Sequence, residues 1–197
     1  MDPNKLNELL LQSLTHEKGG ILVYQTALKC VVNDDLREEW ETYLDETQTH
    51  VRILTDACDE LGIDTEQSSP GCDVVEHVGA ALVQAMEMAL RAGDMGAAQI
   101  VACECVVLAE TKDHLDWELI DRCAEKSKGE VKKVLTQACD EIEDQEDEHL
   151  YHTKGWCREL WIQSLGMKAV LPPPEEEKDV KTAIGASRAE QASLKSR

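Results

Sequence analysis

Phenylalanine is absent from the 197 residues, and aromatic side chains of every kind make up 4% of them. A core must therefore be assembled from Leu, Val, Ala, Cys and Ile with a few Trp and Tyr, a palette that suits close helix packing better than a sheet. Positive charge is scarce: 20 basic residues stand against 40 acidic ones, for a formal net charge of -20 and a pI near 4.6. That balance repels nucleic acid and anionic membranes and favours cations, so metal ions or proteins are the expected partners. No stretch is apolar enough to span a bilayer, and Met1-Asp2-Pro3-Asn4 has neither the basic region nor the apolar segment of a secretory signal. A cytoplasmic chain with no membrane or nucleic-acid partner is the expectation. Eight cysteines are present, but none form a Cys-x-x-Cys. Most lie inside helical apolar patterns and read as reduced core residues, and Cys103 and Cys105 would point to different sides of a helix.

What is present is a succession of long helical patterns, enough for one domain over residues 1–171. Leu6, Leu10, Leu14, Ile21, Tyr24, Leu28 and Val31 trace a first helix from about Asn4 to Val32. Gly19-Gly20 inside it should cost roughly 2 kcal/mol relative to two alanines, which predicts either a break or a close neighbouring backbone. Asn33-Asp34-Asp35 has N-cap chemistry, and a second helix follows through Leu36, Trp40, Tyr43, Leu54 and Leu61 until Gly62. After a loop to Cys72, Asp73 with Glu76 reads as the cap of a third helix, Val74 to Ala92, ended by Gly93-Asp94. A fourth begins at Met95, and its most apolar run continues through Leu108, Leu115 and Leu119. Ser127-x-x-Glu130 reads as a capping box opening a last long helix to about Gly166. Pro172-Pro173-Pro174 then forbids helix and begins a charged tail, 172–197, expected to be flexible.

Certain ionisable residues fall in phase with the apolar stripes instead of on the polar faces. Glu17 lies between Leu14 and Ile21. Glu46 and His50 lie on or beside the second stripe. Glu104 is embedded in the apolar run of the fourth helix. Glu146 and His149, three apart on the last helix, share the face of Leu135, Ile142, Trp156 and Leu160. Each has a bland reading. In a run this acidic a Glu three residues before a His arises by chance on a solvated face, and His50 taken singly is better read as a core histidine with a hydrogen-bonded neighbour. Together they say more, because a buried Glu is expensive unless it is paired or metal-bound. Glu17 and Glu46 stand at equal distances from the Asn33 turn, and Glu104 and Glu146 from the Ser127 turn. Glu110 with Glu146 would be less level, and Glu110, Asp113, His114 and Trp117 share a face that reads as wetter. Whether Glu110, Asp113 or His114 contribute stays open.

A Glu on one helix followed by Glu and His on the next, given twice, resembles the ferritin-like di-metal carboxylate bundles of the rubrerythrin, bacterioferritin and manganese catalase type. The resemblance covers about residues 5 to 166, and both the interval from Glu17 to Glu46 and the motif Glu146-x-x-His149 match the pattern. It departs where Glu46 and His50 are four apart instead of three, and where the interval from Glu104 to Glu146 calls for a longer second hairpin. The resemblance implies an all-α four-helix bundle of two antiparallel hairpins joined by a helical crossover. It implies two Fe or Mn ions held by Glu17, Glu46, His50, Glu104, Glu146 and His149, with Glu46 and Glu146 bridging. Oxygen and imidazole ligands suit these metals by hardness. The implied activity is a reaction with oxygen or peroxide, as an oxidase, peroxidase or catalase-like oxidoreductase, with Tyr24 or Tyr43 as a nearby electron donor or plain core. The rival is a metal-poor interaction or stress-related structural protein on the same scaffold. Homo-oligomerisation stays open, and iron storage would need a hollow shell.

Overall fold

The computed structural model describes residues 1–140 and 142–170, with the backbone alone at 143 and 144. Six helices occur among the described residues: α1 (Pro3–Cys30), α2 (Asp34–Glu60), α3 (Pro70–Ala92), α4 (Met95–Lys126), α5 (Gly129–Asp140) and α6 (Glu143–Ser164). No strand occurs among those residues, and no helix there is long and apolar enough to cross a membrane. The expected tail, 172–197, lies outside the described residues.

The predicted turns account for most of the boundaries. Asn33 caps α2, its side-chain oxygen accepting from the Leu36 amide at 3.1 Å. The turn before it is tied to α4, because Oε1 of Gln99 accepts from the amides of Val32 and Asn33 at 2.8 and 2.7 Å. Gly93 ends α3 at φ 84°, in the left-handed conformation that a residue with a Cβ rarely adopts. Two caps differ from expectation. Ser69, not Asp73, caps the third helix, so that Pro70 rather than Val74 opens it. Ser127 closes α4, and its hydroxyl donates back to the Cys123 carbonyl at 2.7 Å instead of opening the next helix.

The expected single last helix is two, α5 (Gly129–Asp140) and α6 (Glu143–Ser164). Residue 142 takes φ -123° and ψ -26° and supplies no side-chain cap. Gly19 and Gly20 do not interrupt α1, and Gly20 admits a neighbour. A Cβ on Gly20 would sit 3.3 Å from the Thr47 methyl on α2, and one on Gly79 of α3 would sit 3.9 Å from the Cα of Gly19.

Helix α1 packs against α2, α3 and α4, while α4 in turn packs against α3, α5 and α6. Helix α3 therefore lies along α1 and α4, and the fourth side is made of α5 and α6 in series. Two apolar clusters occupy the ends. One joins Leu10, Leu14, Leu54, Ile120, Leu135 and Ile142; the other joins Tyr24, Leu36, Trp40, Met86, Val106 and Trp156. Between them, at the middle of α1, α2 and α4 and the start of α6, is a layer of buried ionisable side chains.

Candidate metal centre

Glu17 on α1, His50 on α2, Asp113 on α4 and Glu146 on α6 are all buried, and one potential ligand atom from each lies within 4.8 Å of every other. This group could hold a metal ion. Nδ1 of His50 is 3.3 Å from Glu17 Oε1 and 3.2 Å from Glu146 Oε1. A second set adjoins it through Glu146. Nδ1 of His149 is 3.6 Å from Glu110 Oε2 and 3.9 Å from Glu146 Oε1, and the two imidazoles stack with centroids 5.6 Å apart.

The outer nitrogen of each imidazole is held in place. Nε2 of His50 is 2.8 Å from Gln145 Oε1, and Nε2 of His149 is 2.8 Å from Glu46 Oε2. When Nε2–H donates outward to an oxygen, Nδ1 presents its lone pair inward, the arrangement that metal-binding histidines use. Glu46, one of the residues singled out as a ligand, is thereby the hydrogen-bond acceptor that orients His149, and it is partly exposed. Trp117 plays the matching part for Glu17, donating Nε1–H to its Oε1 at 2.9 Å.

Of the six residues singled out, Glu17, His50, Glu146 and His149 meet here, Glu46 touches His149, and Glu104 is elsewhere. Glu104 lies on the outer face of α4, where its carboxylate accepts from Nε1 of Trp161 at 2.9 Å. The reason is the helix phase. Leu108, Leu115 and Leu119, whose stripe predicted Glu104 to point inward, are exposed at 61%, 49% and 43%. The inward face instead carries small residues, Ala98, Ala102, Val106 and Ala109, and continues through Glu110, Asp113, Trp117 and Ile120. Glu110 and Asp113 are the carboxylates of α4 that enter the cluster. His114, also left open, pairs with Asp147 at 2.8 Å outside it.

The electrostatics are those of too many carboxylates in too little water. Burial, with the charges of Glu146, Glu17, Glu110 and Asp116 behind it, holds the Asp113 carboxyl well above its ordinary range. Burial also raises Glu146, opposed by His50 and reinforced by Glu110 and Glu17. For the imidazoles burial acts downward but loses. Glu146 and Glu17 push His50 up to about 11, and Glu110 and Glu46 push His149 up to about 9. Glu110 ends below its usual value, because His149 beside it outweighs its burial. Even so, beyond the imidazole contacts at 3.2 to 3.9 Å, Oε2 of Glu17, Oε2 of Glu110, Oδ1 of Asp113 and both oxygens of Glu146 make no hydrogen bond. Buried oxygens of this kind each cost free energy, and five in one layer are the donor set that a cation would satisfy.

Tyr24 and Tyr43 adjoin the second set. The Tyr43 ring is 4.3 Å from that of His149, and its hydroxyl is 2.6 Å from Nδ1 of His152. Comparison with protein-family models, curated proteins and solved structures yields no match for this chain.

Proposed function

We propose that this chain is a ferritin-like metal-binding protein whose di-iron or di-manganese carboxylate site reacts with oxygen or peroxide. The observation that carries the reading is the layer of buried carboxylates from Glu17, Glu110, Asp113 and Glu146, more numerous than the two imidazole nitrogens turned toward them. Glu17, His50, Asp113 and Glu146 would hold one ion; Glu110 and His149 would hold the other, with Glu146 shared. A pair of iron or manganese ions would supply the redox chemistry. The protein's own part is to fix the imidazole tautomers through Gln145 and Glu46, to anchor Glu17 through Trp117, and to keep the layer dry between two apolar clusters. Oxygen-rich ligation with one nitrogen per ion favours iron or manganese over zinc.

Metal analysis of the full chain tests this. About two iron or manganese per chain, reduced by Asp113→Ala and by Glu146→Ala, is the expected result. Loaded with ferrous ion, the protein should consume oxygen or peroxide. A folded protein that takes up neither metal would overturn the reading.

The raised pKa values of His50 and His149 favour a second reading, in which protonated imidazoles neutralise the carboxylates and the cluster is a structural polar layer without metal. It leaves more carboxylates than imidazoles in the layer. It also predicts that chelator makes no difference to stability.

A further inference from the structure

We propose that the seam between α2 and α6 is the gate through which a divalent cation reaches the buried layer, with Glu46 as its first contact. The inference rests on the metal-centre reading above. Four hydrogen-bonded side-chain pairs cross the seam as successive rungs. His50 with Gln145 and Glu46 with His149 are the two already described. The Tyr43 hydroxyl is 2.6 Å from Nδ1 of His152, and Nε1 of Trp156 donates to Oε2 of Glu39 at 2.7 Å. Successive rungs are four, three and four residues apart on both helices, so the pairing is antiparallel and in step. That is the spacing at which a coiled coil places its apolar knobs. Here each rung is closed by a hydrogen bond instead, and aliphatic packing resumes past the two ends, at Ile53 and Ile142 and at Leu36 and Leu160.

Two features make this seam the way in. It is the loosest side of the bundle: α1 packs closely on α2 and on α4, and α4 on α6, whereas the backbones of α2 and α6 approach each other least among these pairs. Parting the rungs exchanges their hydrogen bonds for bonds to water, a smaller loss than pulling interdigitated leucines apart. The seam also joins the layer to solvent in a single step. The Glu46 side chain is 28% exposed and the His149 side chain bonded to it is 1% exposed, so one hydrogen bond separates water from an imidazole of the layer. A cation drawn to the Glu46 carboxylate competes with His149 for the Oε2 lone pairs, so its arrival loosens that rung. The other acidic residue adjoining the layer, Asp116 beside Asp113, is paired with Lys112, whose ammonium repels an entering cation.

Stopped-flow mixing of the metal-free full chain with cobalt(II), followed by the visible absorbance of the bound ion, tests the proposal alongside equilibrium titration and melting in chelator. Tyr43→Phe with His152→Leu makes one rung apolar. It should slow uptake and release alike by about tenfold while affinity stays within about twofold of the parent. Glu46→Gln keeps an acceptor for His149 and removes the charge, and it decides the matter alone if the double variant does not fold. It should slow uptake about tenfold at low salt and flatten the dependence of uptake on ionic strength. Parental uptake rates in these variants would overturn the gate and leave the metal-centre reading standing. A lower melting temperature with unchanged rates would do the same, showing that the rungs only set helix register. Slower uptake in Asp116→Asn, with the seam variants unaffected, would move the entry to α4 and overturn the proposal. A parent chain that binds no cobalt would remove the metal-centre reading and the gate together.

Discussion

Nε1 of Trp117 donates to Oε1 of Glu17 at 2.9 Å across the contact of α1 with α4, and both side chains are buried. One oxygen of that carboxylate is thus anchored while the other has no partner. Trp117→Phe should strand the anchored oxygen and destabilise the metal-free protein by about 1–3 kcal/mol. The measurement is the urea midpoint in chelator, with an unchanged slope showing that the unfolded state is not the cause. A midpoint equal to the parent's would mean that the indole contributes packing and no net hydrogen-bond stability.

Metal should stabilise the fold. At a hundredfold excess over Kd, binding to the native state contributes about 2.7 kcal/mol. For a chain of this size that raises Tm by about 5–10 °C with ferrous or manganous ion relative to chelator. Identical melting in both conditions would support the metal-free polar layer.

Asp113→Asn should act in opposite directions on the two forms. It removes a carboxyl whose ionisation is disfavoured by burial and by Glu146, Glu17 and Glu110, so the metal-free protein should gain on the order of 1 kcal/mol. Metal affinity should fall, so the Tm gap between metal and chelator should narrow. A loss of stability in chelator would show that Asp113 has a partner worth more than the repulsion it suffers.

The pH dependence of the metal-free form follows from the same groups. His50 and His149 have folded pKa values of about 11 and about 9, above the unfolded 6.5. Their contribution is fully present below the unfolded value and is lost as pH rises through about 9 and then about 11. Asp113 and Glu146, also raised, act in the same sense from a lower starting pH. Glu110, lowered, acts in the opposite sense, and its contribution is lost as pH falls below the ordinary carboxylate range. Urea midpoints in chelator should therefore be higher near pH 6 than near pH 9.5. Because metal must displace the imidazole protons, the stabilisation by metal should grow over the same interval. A flat profile in chelator would count against charged imidazoles.

Glu104→Ala separates the two candidate faces of α4. Its carboxylate accepts from Trp161 on the outer surface, so the change should leave metal content intact and alter stability by no more than about 0.5 kcal/mol. Loss of metal in this variant would require α4 to be turned relative to the structure described here.

The helices, the Asn33 turn and the inward setting of Glu17, His50, Glu146 and His149 were legible because large apolar residues mark the buried side of α1, α2 and α6. On α4 that guide misleads. This helix lies closest to its neighbours through alanines and Val106, while its leucines at 108, 115 and 119 remain on the outside. A stripe weighted by residue size therefore selected Glu104 over Glu110 and Asp113. The readable signal was Trp117, which is buried and in phase with Glu110 and Asp113. The part of Glu46 could not be read from spacing at all, since orienting His149 and binding metal both require the same face. Nor does any capping residue announce the interruption between α5 and α6.

That interruption has a consequence for how this chain can vary. In an unbroken helix each inserted or deleted residue turns everything beyond it by about 100°, which would swing Glu146 and His149 out of the interior. Residue 142 departs from the helix at φ -123° and ψ -26°, so that rotation is not carried straight through it, and α6 packs on α4. The break works as a phase reset: changes of length in α5 can be absorbed there, leaving the acidic layer in register.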